Sequence, residues 1–170
     1  ERLALLSMDV DAFNHLINLH GADAAEGVIR CIAHALAKGL APSQSVARMG
    51  GDEFAAMVFD ATPRLLQSLA DELCAAVRQQ SHAVGCHRIR ATISIGCAIL
   101  DVGMQTHNEA LLAAESALHE AKAAGGDCAV LHHPSTGAHA MSDGLDEPRL
   151  IVRRQNASKA VGGKPPPGNQ

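Results

Sequence analysis

Aromatic side chains are nearly absent from this 170-residue chain: Trp and Tyr do not occur, and three Phe bring the aromatic share to 2%. A core must therefore be assembled from Ala, Leu, Ile and Val. Long apolar runs are missing too. No stretch approaches the roughly 20 residues that a transmembrane helix needs, and no charged-then-apolar leader opens the sequence, so no membrane span is expected in this segment. Cysteine is sparse and unpaired in pattern: Cys31, Cys74, Cys86, Cys97 and Cys128 are odd in number and form no Cys-x-x-Cys. That favours free thiols in a reducing cytoplasm over disulfides or a zinc site. The ten His also lack ligand spacing, and the adjacent pair His132-His133 reads as the end of a strand. With a net charge of -4 there is no global attraction to nucleic acid or an anionic membrane.

What remains is the composition of an ordinary globular domain, 47% hydrophobic and 19% charged, long enough for one sizeable core. Residues 3 to 8 form a short apolar run that ends in Asp9, the pattern of a buried strand opening into a polar site. Residues 12 to 20 and 22 to 39 have helical spacing, the second with Ile29, Ile32, Ala33 and Leu36 on one face. Ser45 to Met49 and Glu53 to Phe59 alternate as strands around Gly50-Gly51-Asp52, and the glycines supply the positive backbone angles of a tight hairpin. Thr62-Pro63 opens a helix to about residue 79, with Leu65, Leu66, Leu69, Leu73 and Val77 as its apolar stripe. A long strand is expected over Arg88 to Leu100, with Ile89, Ala91, Ile93, Ile95 and Cys97 alternating inward, then a helix over His107 to Ala123 and a closing strand over Asp127 to His132. The order β-α-α-β-β-α-β-α-β gives an α+β fold, a sheet containing antiparallel strands backed by helices. After residue 133 the composition turns to Ser, Gly, Asp, Pro and Lys, so 1–133 reads as the domain and 134–170 as a linker or disordered tail. Within that tail, Arg149 to Val152 has the pattern of a docking edge strand.

The chemistry concentrates in acids. Asp9 and Asp11 lie two apart at the end of the first strand, so both can project to one side. Asp52 and Glu53 sit at the hairpin turn. If the first strand lies beside that hairpin, carboxylates from distant segments converge, and hard oxygen ligands of this kind suit Mg²⁺ bound together with substrate phosphates. Either motif alone would be a solvated loop or turn; the pair, in this order, points to a metal–phosphate site. Ser94 has no His and Asp arranged as a nucleophile triad, and the Arg149, Arg153 and Arg154 group lacks the aromatics of a nucleic-acid patch.

Four segments resemble, in order, the motifs of the GGDEF (diguanylate cyclase) family: Asp9-Val10-Asp11-Ala12-Phe13, Arg48 to Phe54, Arg90 to Gly96, and Ala117-Leu118 followed by Ala121-Lys122 and Gly125. The resemblance spans residues 3 to about 132. It implies the nucleotidyl-cyclase, polymerase-palm-like architecture: a central, mostly antiparallel five-stranded sheet flanked by helices. It also implies Mg²⁺- or Mn²⁺-dependent condensation of two GTP to cyclic-di-GMP, in a homodimer of two domains meeting face to face. Carried over by position, Asp9, the Val10 carbonyl and Asp52 would bind two metal ions per active site. Asp52 and Glu53 form the catalytic pair, with Glu53 activating the 3′-hydroxyl or binding metal. Ala12, Phe13 and Asn14 would cradle phosphates with backbone N–H groups, Lys122 would reach those phosphates, Gly50 and Gly51 would leave room for the nucleotide, and Glu26 would read guanine.

The chain departs from the family at Asn14, where Lys is usual, and at Ile17, where the family's guanine-reading Asn falls. Glu26 replaces Asp, Gly21-Ala22 stands for Gly-His, His119 for Tyr, and Gly126 for a frequent Arg. The Arg-x-x-Asp product-inhibition site is replaced by Ala41 and Gln44. The Asp-x-Leu-Thr-x-Leu-x-Asn-Arg stretch that precedes the first strand in the family is not seen before Glu1, as expected of a fragment from a longer protein with a linked sensor or effector domain. The resemblance therefore leaves two readings: a cyclase, or a domain that keeps a nucleotide–metal grip as a regulatory module. Either is expected in the cytoplasm, alone or as the cytosolic part of a membrane-anchored protein.

Overall fold

The computed structural model describes residues 2–85, 87–100 and 107–133. Strand β1 (Leu3–Val10) is followed by helices α1 (Phe13–His20) and α2 (Ala22–Gly39), then by the hairpin of β2 (Ser45–Gly50) and β3 (Glu53–Phe59). Helix α3 (Pro63–Arg78) leads to a small hairpin, β4 (His82–Val84) and β5 (His87–Ile89), and then to β6 (Ile93–Ile99), α4 (His107–Ala123) and β7 (Ala129–Leu131). The main sheet has the order β2-β3-β1-β6-β7, antiparallel throughout except for the parallel β6–β7 pair. This is the expected α+β architecture.

Register explains why the acids meet. Asp9 lies opposite Glu53 on one side and opposite Ser94 on the other. The signature hairpin and the end of the central strand β1 are therefore neighbours at one end of the sheet's strands. Alternation along β1 sends Ala4, Leu6, Met8 and Val10 into the larger core with α2 and α3, where all four are buried. Leu5 lies on the other face, packed against Ala98 of β6 and Ala113 and Ala114 of α4.

Three local expectations change. The long strand over Arg88 to Leu100 is two strands: β5 pairs with β4 in a separate hairpin, and the chain breaks at residues 90–92 before β6 begins. In β6, Ile93, Ile95 and Cys97 face inward as expected, but Ser94, Gly96 and Ala98 between them are buried as well, because α3 packs on one side and α4 on the other. That close packing rests on Gly96, where an added Cβ would lie 2.1 Å from the Ala114 carbonyl oxygen. In α3, Thr62 caps the helix as expected, its Oγ1 accepting from the Leu65 N–H at 3.4 Å. Leu65, placed on the apolar stripe from sequence, is 62% exposed instead; Leu66, Ala70, Leu73, Cys74 and Val77 carry the buried face. The segment Arg149 to Val152 lies outside the described residues.

The described cysteines form no disulfide; Cys74 and Cys97 are buried thiols, and burial pushes the Cys97 thiol up to about 12. Among the described residues, no helix is long and apolar enough to cross a membrane.

Candidate functional site at the signature hairpin

The turn between β2 and β3 holds Gly51 at φ +48, a left-handed conformation that favours glycine. A Cβ built on Gly50 or Gly51 would meet nothing within 4 Å. Packing inside the domain therefore does not demand the missing side chains, and both positions leave open space beside the acids. The Val10 N–H donates to the Asp52 carbonyl at 3.1 Å, which ties the turn to the end of β1.

Asp9 is the most informative side chain. It is only 8% exposed, and Lys122 near the end of α4 places Nζ 2.8 Å from its Oδ2. Burial raises the Asp9 carboxyl above the ordinary carboxylate range; Lys122 opposes that rise, and the neighbouring charges of Asp52 and Glu53 add to it. An acid crowded by two others, partly desolvated and held by one ammonium, has unmet demand for positive charge. A hard divalent cation answers that demand. Among the described residues no three or more His, Cys, Asp or Glu side chains form a ready metal cage. The donor set of Asp9, the Val10 carbonyl and Asp52 fits Mg²⁺, which binds through one or two carboxylates and completes its shell with water and substrate phosphates.

Toward α1 the backbone is strained. Ala12 adopts φ 53, ψ 32 and opens α1 without a side-chain cap. A non-glycine residue in this region costs about 1–2 kcal/mol, a cost often concentrated at functional sites. Phe13 is half-buried against the core, while Asn14 is exposed. Ile17 packs against the same core.

The partner of Glu26 emerges only from the fold. Arg48, two residues before Gly50, forks onto it: Nη1 donates to Oε1 at 2.8 Å and Nη2 to Oε2 at 2.9 Å. The same guanidinium donates to the Gly51 carbonyl from Nε at 2.9 Å and from Nη2 at 2.7 Å. One arginine thus joins α2 to the signature turn. Its hydrogen bonds hold the Glu26 carboxyl below the ordinary range. Sequence spacing of 22 residues conceals this pair; an Arg in a strand entering a glycine turn was its single available signal.

Asp11, expected to face the same side as Asp9, turns instead into the protein. Its carboxylate accepts from Thr92 Oγ1 and Ser94 Oγ, both at 2.6 Å, and from the Asp127 N–H at 2.8 Å. Those three donors occupy it, so it does not join the cluster of Asp9, Asp52 and Glu53. Asp127, in the turn after α4, is forked by Arg78 at 2.7 and 2.8 Å.

This arrangement matches known proteins in both sequence and shape. The family model described as "Diguanylate cyclase, GGDEF domain" matches residues 1–128. The bifunctional diguanylate cyclase/cyclic di-GMP phosphodiesterase MucR of Pseudomonas aeruginosa is 28% identical over 71% of this chain and 18% of its own length. Diguanylate cyclase A of Treponema denticola is 26% identical over 72% of this chain and 33% of its own. The crystal structure of the GGDEF domain of YfiN (TpbB) from Pseudomonas aeruginosa superposes with a TM-score of 0.74 at 27% identity, covering 79% of this chain and 84% of that one. The chain belongs to the GGDEF domain family. It spans a third or less of the length of these curated relatives.

Proposed function

We propose that this domain binds GTP with Mg²⁺ or Mn²⁺ and condenses two GTP into cyclic-di-GMP, as a diguanylate cyclase of bacterial signalling. The observation that carries the reading is the desolvated Asp9 carboxylate, held by Lys122 and crowded by Asp52 and Glu53 beside an open glycine turn. Asp9, Asp52 and the Val10 carbonyl would hold the two metal ions. When bound, the metal supplies positive charge at the reacting phosphate and lowers the proton affinity of an attacking hydroxyl.

The chain's own groups do the rest. Backbone N–H groups around Ala12, Phe13 and Asn14, at a helix start, receive the β- and γ-phosphates. Lys122 stands beside Asp9, where its ammonium meets the triphosphate as a point charge. Gly50 and Gly51 leave room for the nucleotide, and Glu26, fixed by Arg48, faces the base. Glu53 takes the proton of a 3′-hydroxyl as that oxygen bonds to the α-phosphorus of the other GTP. The α–β phosphoanhydride bond breaks and pyrophosphate leaves; the same step on the second nucleotide closes the ring. Each domain holds one GTP, so the reaction needs a homodimer. GTP supply places this work in the cytoplasm, and the short coverage of relatives supports a longer protein with a linked sensor or effector domain.

A second reading, a regulatory domain that binds GTP without turnover, is favoured by one observation. Ile17, at the family's guanine-reading position, packs on the core and offers no polar group to the base. Incubating the protein at high concentration with GTP and Mg²⁺ or Mn²⁺, with chromatography for cyclic-di-GMP, decides between them. Product supports the cyclase; GTP binding by calorimetry without product would establish the regulatory domain.

A further inference from the structure

Asp11 has no part in that scheme, although it belongs to the first acidic motif. Its three hydrogen bonds show what it joins. Thr92 and Ser94 lie at the entry and start of β6, and the Asp127 N–H belongs to the turn that follows α4. That turn closes the helix directly. The Gly125 N–H donates to the Lys122 carbonyl at 3.0 Å, and the Gly126 N–H to the Ala121 carbonyl at 3.1 Å. From the far side, the Arg78 fork holds the Asp127 carboxylate.

The contact is also sterically specific. Gly126 sits at φ +73, and a Cβ there would come within 2.8 Å of Asp11 Oδ1. Glycine lets the turn settle onto the carboxylate.

The end of β1 and the residue after it therefore hold the end of α4 and its closing turn at two points, two residues apart on the β1 side. Asp9 meets Lys122 through an ion pair at 2.8 Å, and Asp11 meets Asp127 through a hydrogen bond at 2.8 Å. Lys122 itself is a long, rotatable side chain, and its ammonium is placed only as well as the helix end that carries it. We propose that Asp11 is a positioning residue for Lys122: by pinning the turn of Gly125, Gly126 and Asp127 to β1 and β6, it sets where the ammonium stands relative to Asp9 and so to a bound triphosphate. The proposal rests on the reading of Lys122 as the phosphate cation. Asp11 acts by accepting hydrogen bonds, so its shape matters and its charge does not.

That distinction makes it testable. In Asp11→Asn, the amide oxygen can accept from Thr92 and Asp127 while the amide nitrogen donates to the Ser94 hydroxyl, which accepts as readily as it donates. Asp11→Ala leaves all three donors without a partner. Calorimetry with Mg²⁺ and GTP, and in parallel GMP, is run on the full chain with Asp11, Asn or Ala, each with Lys122 and with Lys122→Ala. We expect Asp11→Asn to bind GTP within about threefold of the parent, and Asp11→Ala to bind it about tenfold more weakly. GMP, lacking the β- and γ-phosphates, should show no such loss. In the Lys122→Ala background, Asp11→Ala should add nothing, the mark of two residues acting as one unit.

Equal damage from Asn and Ala would overturn the proposal in favour of a charge role. An equal loss with and without Lys122 would overturn it in favour of a general packing role. If Asp11→Ala does not fold, Gly126→Ala, whose Cβ intrudes on the same carboxylate, carries the test with the same expectations. Absence of GTP binding by the parent protein would count against the functional reading alone. Positioning is then judged from a crystal structure of Asp11→Ala: Lys122 displaced from Asp9 supports it, and an unchanged 2.8 Å contact overturns it.

Discussion

Two ion pairs bracket the signature turn, and their surroundings differ sharply. On the face covered by α4, Asp9 and Lys122 meet at 2.8 Å with the acid side chain 11% exposed. On the face covered by α2, Glu26 and Arg48 also meet at 2.8 Å, but with side chains 45% and 37% exposed. The first pair pays for desolvation, and its acid is pushed toward protonation by burial and by Asp52 and Glu53. A costly arrangement of this kind marks a functional site better than a stabilising one. The second pair is solvated and screened, so the fold depends on it little. The departures from the family on the base-reading side, Ile17 and the longer Glu26, lie in this second half. Under the proposed function, substitutions there would change what the pocket reads without disturbing the strand ends that gather the acids.

The largest effect expected from this contrast is at the turn acid. Asp52→Ala should lower cyclic-di-GMP formation by about three orders of magnitude, as loss of a group stabilising transition-state charge does. Product formation equal to the parent's would remove Asp52 from the metal site. On the other side, Ile17→Asn should raise GTP affinity by about tenfold by restoring a hydrogen-bonding edge. The same change gives up packing against the core, so a fall in melting temperature should accompany the gain. Unchanged affinity would show that guanine is read elsewhere.

Stability measurements sharpen the comparison further. The folded-state pKa of Asp9 is raised above the ordinary value of 3.8. Between those two values the native state binds more protons than the unfolded state, so this residue's contribution makes stability fall as pH rises through that window. At neutral pH, metal-free Asp9→Asn should therefore melt a few degrees above the parent while losing activity. A lower melting temperature would mean that the Lys122 pair outweighs the burial cost. The smallest effect belongs to the exposed pair. Arg48→Ala should change unfolding free energy by no more than about 1 kcal/mol, measured by urea denaturation, while weakening nucleotide selectivity. A much larger loss would make Arg48 a structural strut.

Much of this was legible in the chain. All four long helices fall within a residue or two of their expected bounds, because apolar spacing, the Thr62 cap and Gly21 are local signals. The hairpin of β2 and β3 was legible from Gly50-Gly51, and the convergence of Asp9 with Asp52 and Glu53 followed from the order of the elements. The rest depends on contacts that local pattern does not encode. Period-two alternation describes a strand with one buried face, so it found Ile93, Ile95 and Cys97 of β6 but not the second face, which helices also cover. Spacing alone put Asp11 beside Asp9; its true partners lie 81, 83 and 116 residues away. The fork of Arg48 onto Glu26 likewise needed α2 to be laid beside β2.

The central claim is that the metal–phosphate half of this site is preserved while the base-reading half has loosened. Calorimetric titration of the parent protein with GTP, ATP and GMP, with and without Mg²⁺, tests it directly. The account predicts that GTP and ATP bind within about tenfold of one another, since about one hydrogen bond of discrimination is missing. It also predicts that both need Mg²⁺, and that GMP binds far more weakly than either. GTP strongly preferred over ATP, with GMP binding as well as GTP and no dependence on Mg²⁺, would contradict it.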